Sequence, residues 1–216
     1  MPALEVEPTI PGSPLWWLAH QDRQSRRKPR ADGLTVERIV LAALAVVDHE
    51  GLEALTVRRL AEHLGTGSAS LYRHVASRDE LLVLLVDHVL GDVVLADEAL
   101  TGRDQVAWLA GELRRVLMDH PNLVPALSTA PLLGPNALRG TDGALRYLLS
   151  AGYPVGVAVP AYLALIDYVL GTVFFDTSTA GSNVSLPSAD AVFSFGLTTF
   201  LDGLEVRFLS GGTRER

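Results

Sequence analysis

Between Thr56 and Arg78 the chain gathers short hydroxyls at Thr56, Ser68 and Ser70 with a guanidinium at Arg58. Such groups suit contact with an anionic polymer: hydroxyls at the amino-terminal end of a short helix reach base edges, and a guanidinium meets phosphate or a guanine edge. The spacing supplies a helix-turn-helix to carry them. Ala61 is small enough for two helices to cross closely, Gly65 suits a turn needing positive φ, and Leu71 is apolar early in the second helix.

Bond-breaking chemistry finds no comparable set. The sequence has no Gly-x-Ser-x-Gly, no Gly-x-Gly-x-x-Gly and no phosphate loop ending in Gly-Lys-Ser/Thr. Its six histidines lack the His-Glu-x-x-His spacing, and zero cysteines exclude thiolate metal sites and thiol nucleophiles. Asp167 and Asp176 lie nine residues apart on one helix, facing different sides, and make a poor catalytic pair. No metal, cofactor or catalytic residue is therefore expected. The competing readings are a helical adaptor with a vestigial helix-turn-helix and, behind it, an enzyme.

The elements that must position these groups are all helical. Thr35 caps a helix to Glu50 carrying Ile39, Val40, Ala43, Leu44 and Val47 at 3.6-residue spacing, and Gly51 stops it. A second helix runs from the cap Thr56 to Leu64, and a third covers about Ser68 to Val75. A capping box at Ser77-Arg78-Asp79-Glu80 opens a fourth. Beyond Gly91, helices are expected over 104–119, 136–150, 154–178 and 188–209, with no sustained period-two pattern that would require strands.

The 216 residues suffice for one large domain or two small ones. The net charge of −7 divides unevenly: 10 basic and 6 acidic side chains lie between Arg23 and Arg78, leaving 8 and 19 elsewhere. A local basic stretch on an acidic body fits a directed contact with nucleic acid. Residues 1–34, with four of the twelve prolines before residue 15 and the run Arg26-Arg27-Lys28-Pro29-Arg30, read as an extended, mobile basic arm. Within it Trp16-Trp17 reads as a packing anchor. Tyr147 to Ile166 is twenty residues without a charge, the length of a membrane span. Its prolines and glycines, and the carboxylates Asp167 and Asp176 on the continuing helix, favour a core or dimer-interface helix and no membrane partner.

The stretch Thr35 to Leu85 resembles the DNA-binding domain of the tetracycline-repressor (TetR) family. The resemblance rests on Leu55, Thr56, Arg58, Leu60, Ala61, Leu64 and Gly65, then Ser70, Leu71, Tyr72, His74 and Val75, then Ser77, Arg78, Glu80, Leu81 and Leu82. Thr66-Gly67 departs from it, because an apolar residue and a non-glycine usually stand there. The resemblance implies an all-α homodimer: a three-helix DNA-binding domain at 35–90 and a helical regulatory and dimerisation domain at 91–216. It also implies a cytoplasmic repressor that leaves its operator when a small molecule binds. By resemblance, Tyr72 and His74 touch the DNA backbone and Arg78 binds phosphate. The arm residues Arg26, Arg27, Lys28 and Arg30 are expected to add minor-groove or phosphate contacts.

An effector pocket would be mainly apolar. Trp108, Leu113, Leu117, Leu148, Tyr153, Tyr162 and Ile166 are its candidate lining, with Asp92, Arg146 or His88 as polar orienters. Tyr168, Gly171, Phe175, Phe195, Thr199, Leu204 and Phe208 recur near helical spacing and are the candidate dimer interface.

Overall fold

The computed structural model describes residues 10–26, 33–128, 130–179 and 187–209. Within them the chain forms nine α-helices, connected by turns and without a strand: α1 (Pro14–Ser25), α2 (Val36–Glu50), α3 (Val57–His63), α4 (Ser68–Tyr72), α5 (Arg78–Leu90), α6 (Arg103–Asp119), α7 (Pro135–Ser150), α8 (Val155–Thr179) and α9 (Ala189–Leu204). Two compact units result. The first ends at Gly91 and also takes in Asn122–Leu138; the second comprises Asp92–Pro121 and the chain from Arg139 onward.

In the first unit, hydroxyl caps set the helix starts. Ser13, Thr35, Thr56 and Ser77 each accept from a backbone N–H three residues on, at α1, α2, α3 and α5. Such a cap contributes about 1 kcal/mol. Ile39, Val46, Val47, Leu55 and Leu85 are buried completely or nearly so, each stabilising the unit by roughly 1.5–3 kcal/mol. The sequence division at residue 90 places Asn122–Leu138 with the regulatory domain; hydrogen bonds explain its place in the first unit. Asn122 Nδ2 donates to the carbonyls of Val47 (3.1 Å) and Asp48 (3.0 Å), and the backbone amides of Asn136 and Ala137 donate to Asp87 Oδ1 (both 3.1 Å).

Four local expectations need correction. Residues 14–25 of the expected arm are a helix, because Trp16 and Trp17 bury their rings and Ser13 with Pro14 starts the turn. At α5 the capping box is only half made: Ser77 Oγ accepts from Glu80 N (3.0 Å), whereas the Glu80 carboxylate accepts from Ala76 N (2.7 Å) rather than from Ser77. The third helix stops at Tyr72, and the last gives way after Leu204 to a wider turn at Glu205–Leu209.

In the second unit α6 packs on α8 and α8 on α9. Arg114 of α6 is buried and bridges the other two: Nη1 donates to Asp176 Oδ2 (2.8 Å), Nη2 to Asp190 Oδ1 (2.9 Å), and its guanidinium lies 5.0 Å from the Phe193 ring centroid. The Tyr168 hydroxyl donates to the Phe193 carbonyl (2.7 Å), and its ring stacks on that of Phe193. Val155–Thr177 of α8 is long and apolar enough to cross a membrane, yet only 28% of its most apolar window is buried within the protein.

Candidate nucleic-acid interface

The candidate interface is carried by α3 and α4. Thr56 Oγ1 accepts from Arg59 N (3.1 Å), and Leu60 and Ala61 turn inward. The chain leaves α3 through Gly65 at φ +63°, and the Thr66 N–H closes the turn on the Ala61 carbonyl at 2.9 Å. A side chain at residue 65 would raise the energy of that conformation by about 1 kcal/mol. Buried Leu71 then pins α4, so Ala69, Tyr72 and Arg73 face outward, while Ser68 and Ser70 are half-buried. Ser68 and Tyr72 are one turn apart on one side of α4, and Arg73 Nη2 donates to Ser70 Oγ (2.9 Å) on the other. Sequence reasoning left Ala69 and Arg73 out of the site, although placing Leu71 inward determines that they face outward.

The flanking cations differ in how firmly they are held. Arg58 is exposed and, among the described residues, pairs with Glu62 one turn along α3 (3.0 Å), at a gain of about 0.3–0.5 kcal/mol. Arg59 donates to Glu50 Oε2 (2.8 Å), and that hydrogen bond holds the Glu50 carboxyl below its ordinary range. Arg78 sits half-buried, donating from Nε to the Leu55 carbonyl and from Nη2 to the Leu52 carbonyl (both 3.1 Å). In this structure it braces the turn ahead of α3. His74 follows α4, half-buried, its backbone N–H donating to the Leu71 carbonyl (2.8 Å). Of the basic run, Arg26 pairs with Asp22 (3.0 Å); Arg27, Lys28 and Arg30 lie outside the described residues.

Behind the interface, Glu80 is buried with 5% of its surface exposed. Its Oε1 lies 3.7 Å from His20 Nδ1 and 3.6 Å from Arg23 Nη2. Burial pushes this carboxyl up, but His20, the Ala76 N–H and Arg23 outweigh burial and leave it below its ordinary range. A cleft of about 480 Å³ lies alongside, lined by Trp17, His20, Val40, Leu84, Asp87 and His88 among others. Of the expected polar orienters, His88 therefore lines a cleft of the first unit, Arg146 pairs with Asp142 at 3.0 Å and Asp92 is exposed.

The candidate effector residues fall in the second unit with different surroundings. Leu117, Leu148 and Tyr153 are buried, and Leu113, Tyr162 and Ile166 are half-buried. Trp108 is largely exposed, its indole N–H donating to the Val94 carbonyl at 3.1 Å. Tyr162 shares a 2.6 Å hydrogen bond with Thr141. Among the candidate dimer residues, Phe175 is 69% and Phe195 76% exposed. Gly171, Thr199 and Phe208 are also exposed, whereas Leu204 is half-buried and Tyr168 is half-buried against Phe193 of α9 within the same chain.

A helix-turn-helix head followed by a purely helical body defines a DNA-binding regulator. Residues 39–85 match the family described as bacterial regulatory proteins, tetR family, and residues 96–184 match the tetracyclin repressor-like C-terminal domain. An HTH-type transcriptional regulator of Saccharopolyspora erythraea is 38% identical over 176 residues, spanning 80% of this chain and 72% of that protein. The structure of the TetR family protein ActR of Streptomyces coelicolor in complex with actinorhodin superposes with a TM-score of 0.76 at 31% identity, covering 86% of this chain and 100% of that one. BioQ, solved with its double-stranded DNA operator, gives 0.69 at 28% identity over 81% and 99% of the two chains. The chain belongs to the TetR family of DNA-binding transcriptional regulators.

Proposed function

We propose that the protein is a cytoplasmic, homodimeric repressor that reads a near-palindromic operator through α4 and releases it when a small hydrophobic effector binds the second unit. The observation that carries this reading is the joined geometry of Ala61, Gly65 and Leu71, which leaves Ser68, Ser70, Tyr72 and Arg73 along one short helix within a family match. Ser68 and Ser70 meet base edges; Thr56, Arg58, Tyr72, His74 and the arm residues Arg26, Arg27, Lys28 and Arg30 meet backbone; Arg78 keeps part of its guanidinium for phosphate. The exposed aromatic face of α8 and α9 supports self-association, which sets two recognition helices roughly 34–36 Å apart. The operator complex of BioQ and the ligand complex of ActR support the two binding events. An effector acts by favouring one of two arrangements of the dimer, and the lining proposed for it is Leu113, Leu117, Leu148, Tyr153, Tyr162 and Ile166, with Trp108 at its edge.

The test is selection of duplexes from random DNA, followed by titration of the recovered sequence. Wild type is expected to enrich a two-part site with half-sites about 10 base pairs apart, and Ser70→Ala to weaken it roughly tenfold. Failure of the wild type to enrich any sequence would overturn the reading.

A further inference from the structure

Glu80 uses its two oxygens on different tasks. Oε2 accepts the N–H of Ala76, in the segment leading out of α4, while Oε1 faces His20 and Arg23 of α1. The peptide groups just before Ala76 are satisfied from within α4, where the N–H groups of His74 and Val75 both donate to the Leu71 carbonyl. Ala76 is thus the first backbone group after the recognition helix to be held by a side chain from another helix. Glu80 is itself too buried to find its partners in water, so its orientation depends on what α1 presents to it.

Helix α1 is fixed well enough to serve. Trp16 and Trp17 are buried, their rings edge to face at 4.9 Å, and Trp16 stacks on the His20 ring at the same distance. Ahead of the helix, Gly12 takes φ +83° and approaches α5 so closely that a Cβ would stand 3.1 Å from Val83 Cγ2. Val83 and Glu80 are three residues apart on α5, so Gly12 and His20 meet neighbouring turns of it. His20 is 6% exposed, and Nδ1, 3.7 Å from Glu80 Oε1, has no closer polar partner among the described residues. None of these α1 residues lies within the family match at 39–85.

We propose that α1 is a positioning element for operator recognition: His20 and Arg23 orient Glu80, Glu80 fixes the Ala76 amide, and the exit of α4 is held at the angle at which its side chains meet base edges. The inference rests on α4 being the recognition helix. Arg23 and His20 are positioning residues that act through Glu80 and touch no DNA. Their loss therefore lowers affinity for the cognate sequence more than affinity for arbitrary DNA, because phosphate contacts tolerate a tilt that base contacts do not.

The experiment uses the full chain and two duplexes, the sequence enriched by wild type and a scrambled version of it. Arg23→Gln, a change at a half-exposed side chain, and His20→Ala are each expected to reduce the ratio of the two affinities roughly three- to tenfold. His20→Asn, whose amide nitrogen stands near the place of Nδ1, is expected to restore most of the ratio, which a general packing defect would not allow. Hydrogen exchange of the Ala76 amide should quicken in Arg23→Gln and His20→Ala while that of buried Leu85 does not. A ratio unchanged within twofold in folded Arg23→Gln overturns the proposal, as does an equal fall on both duplexes or a failure of His20→Asn to recover. Absence of any enriched sequence for wild type would instead overturn the reading of α4.

Discussion

In the first unit the apolar faces of α2 and α5 close on each other, with Ile39, Val47 and Leu85 wholly buried, and what remains outside on α4 is small or polar apart from Tyr72. In the second unit α8 and α9 turn Val159, Leu163, Phe174, Phe175, Val192 and Phe195 outward, a wide apolar face that a solitary soluble chain would leave wet. One charge is drawn inward beside it: buried Arg114 pairs with Asp176 and with the exposed Asp190. One unit completes its own core and offers hydrogen-bonding groups on α4, while the other offers an apolar face along α8 and α9. That contrast matches two kinds of partner: a polyanion for the first unit, beside Arg58 and Arg73, and a second copy for the second.

The contrast breaks most severely at the exposed aromatics. Replacing Phe175 and Phe195 together by Glu should weaken self-association by about 4 kcal/mol, close to a thousandfold, and abolish cooperative operator binding. Sedimentation would read this, and an unaltered mass would refute the assignment of the face. Next, Arg114→Ala leaves Asp176 facing an emptied buried site and should cost the second unit about 3 kcal/mol in urea unfolding, whereas Arg115→Ala, which breaks solvent-screened pairs with Glu112 and Asp119 and serves as the control, should leave the midpoint nearly unchanged. Equal losses would remove the distinction drawn between inward and outward charge.

The smallest effect concerns Glu80. Its carboxyl is held below its ordinary range in the folded chain, so ionised Glu80 contributes stability above the unfolded pKa, and the contribution is lost as pH falls through the lower folded value. Glu80→Gln should therefore destabilise by about 1 kcal/mol at neutral pH, with the gap to wild type narrowing below about pH 4.5. A gap independent of pH would place the effect in packing.

Much of the head was readable from residue order because its determinants are local. Thr35, Thr56 and Ser77 announce helix starts within three residues, Gly65 announces its turn, and the 3.6-residue spacing of Ile39, Val40, Ala43 and Val47 fixes which side is buried. Helix α1 was not readable, since its stability comes from distant partners: the prolines and charges around it suggest an arm, while Trp17 and His20 are buried only once the rest of the unit has folded. Arg78 shows the same limit. The family resemblance implies a phosphate for it, and nothing in the order of residues indicates that the Leu52 and Leu55 carbonyls stand within its reach. The half-made capping box belongs here too, because a carboxylate's choice between Ser77 and Ala76 depends on the helix that crowds it from outside.

The return of Asn122–Leu138 to the first unit makes the head discontinuous in sequence. The chain crosses from one unit to the other after Gly91, after Pro121 and after Leu138, so no single cut separates them. A gene fragment ending at Leu90 would encode every hydroxyl and guanidinium proposed to face DNA. It would nonetheless leave the Val47 and Asp48 carbonyls without Asn122, and Asp87 without the amides of Asn136 and Ala137. Modularity in this regulator is therefore a property of its three-dimensional packing and not of its reading frame: transplanting its DNA specificity onto another sensor requires grafting the α3–α4 surface residues rather than swapping the segment.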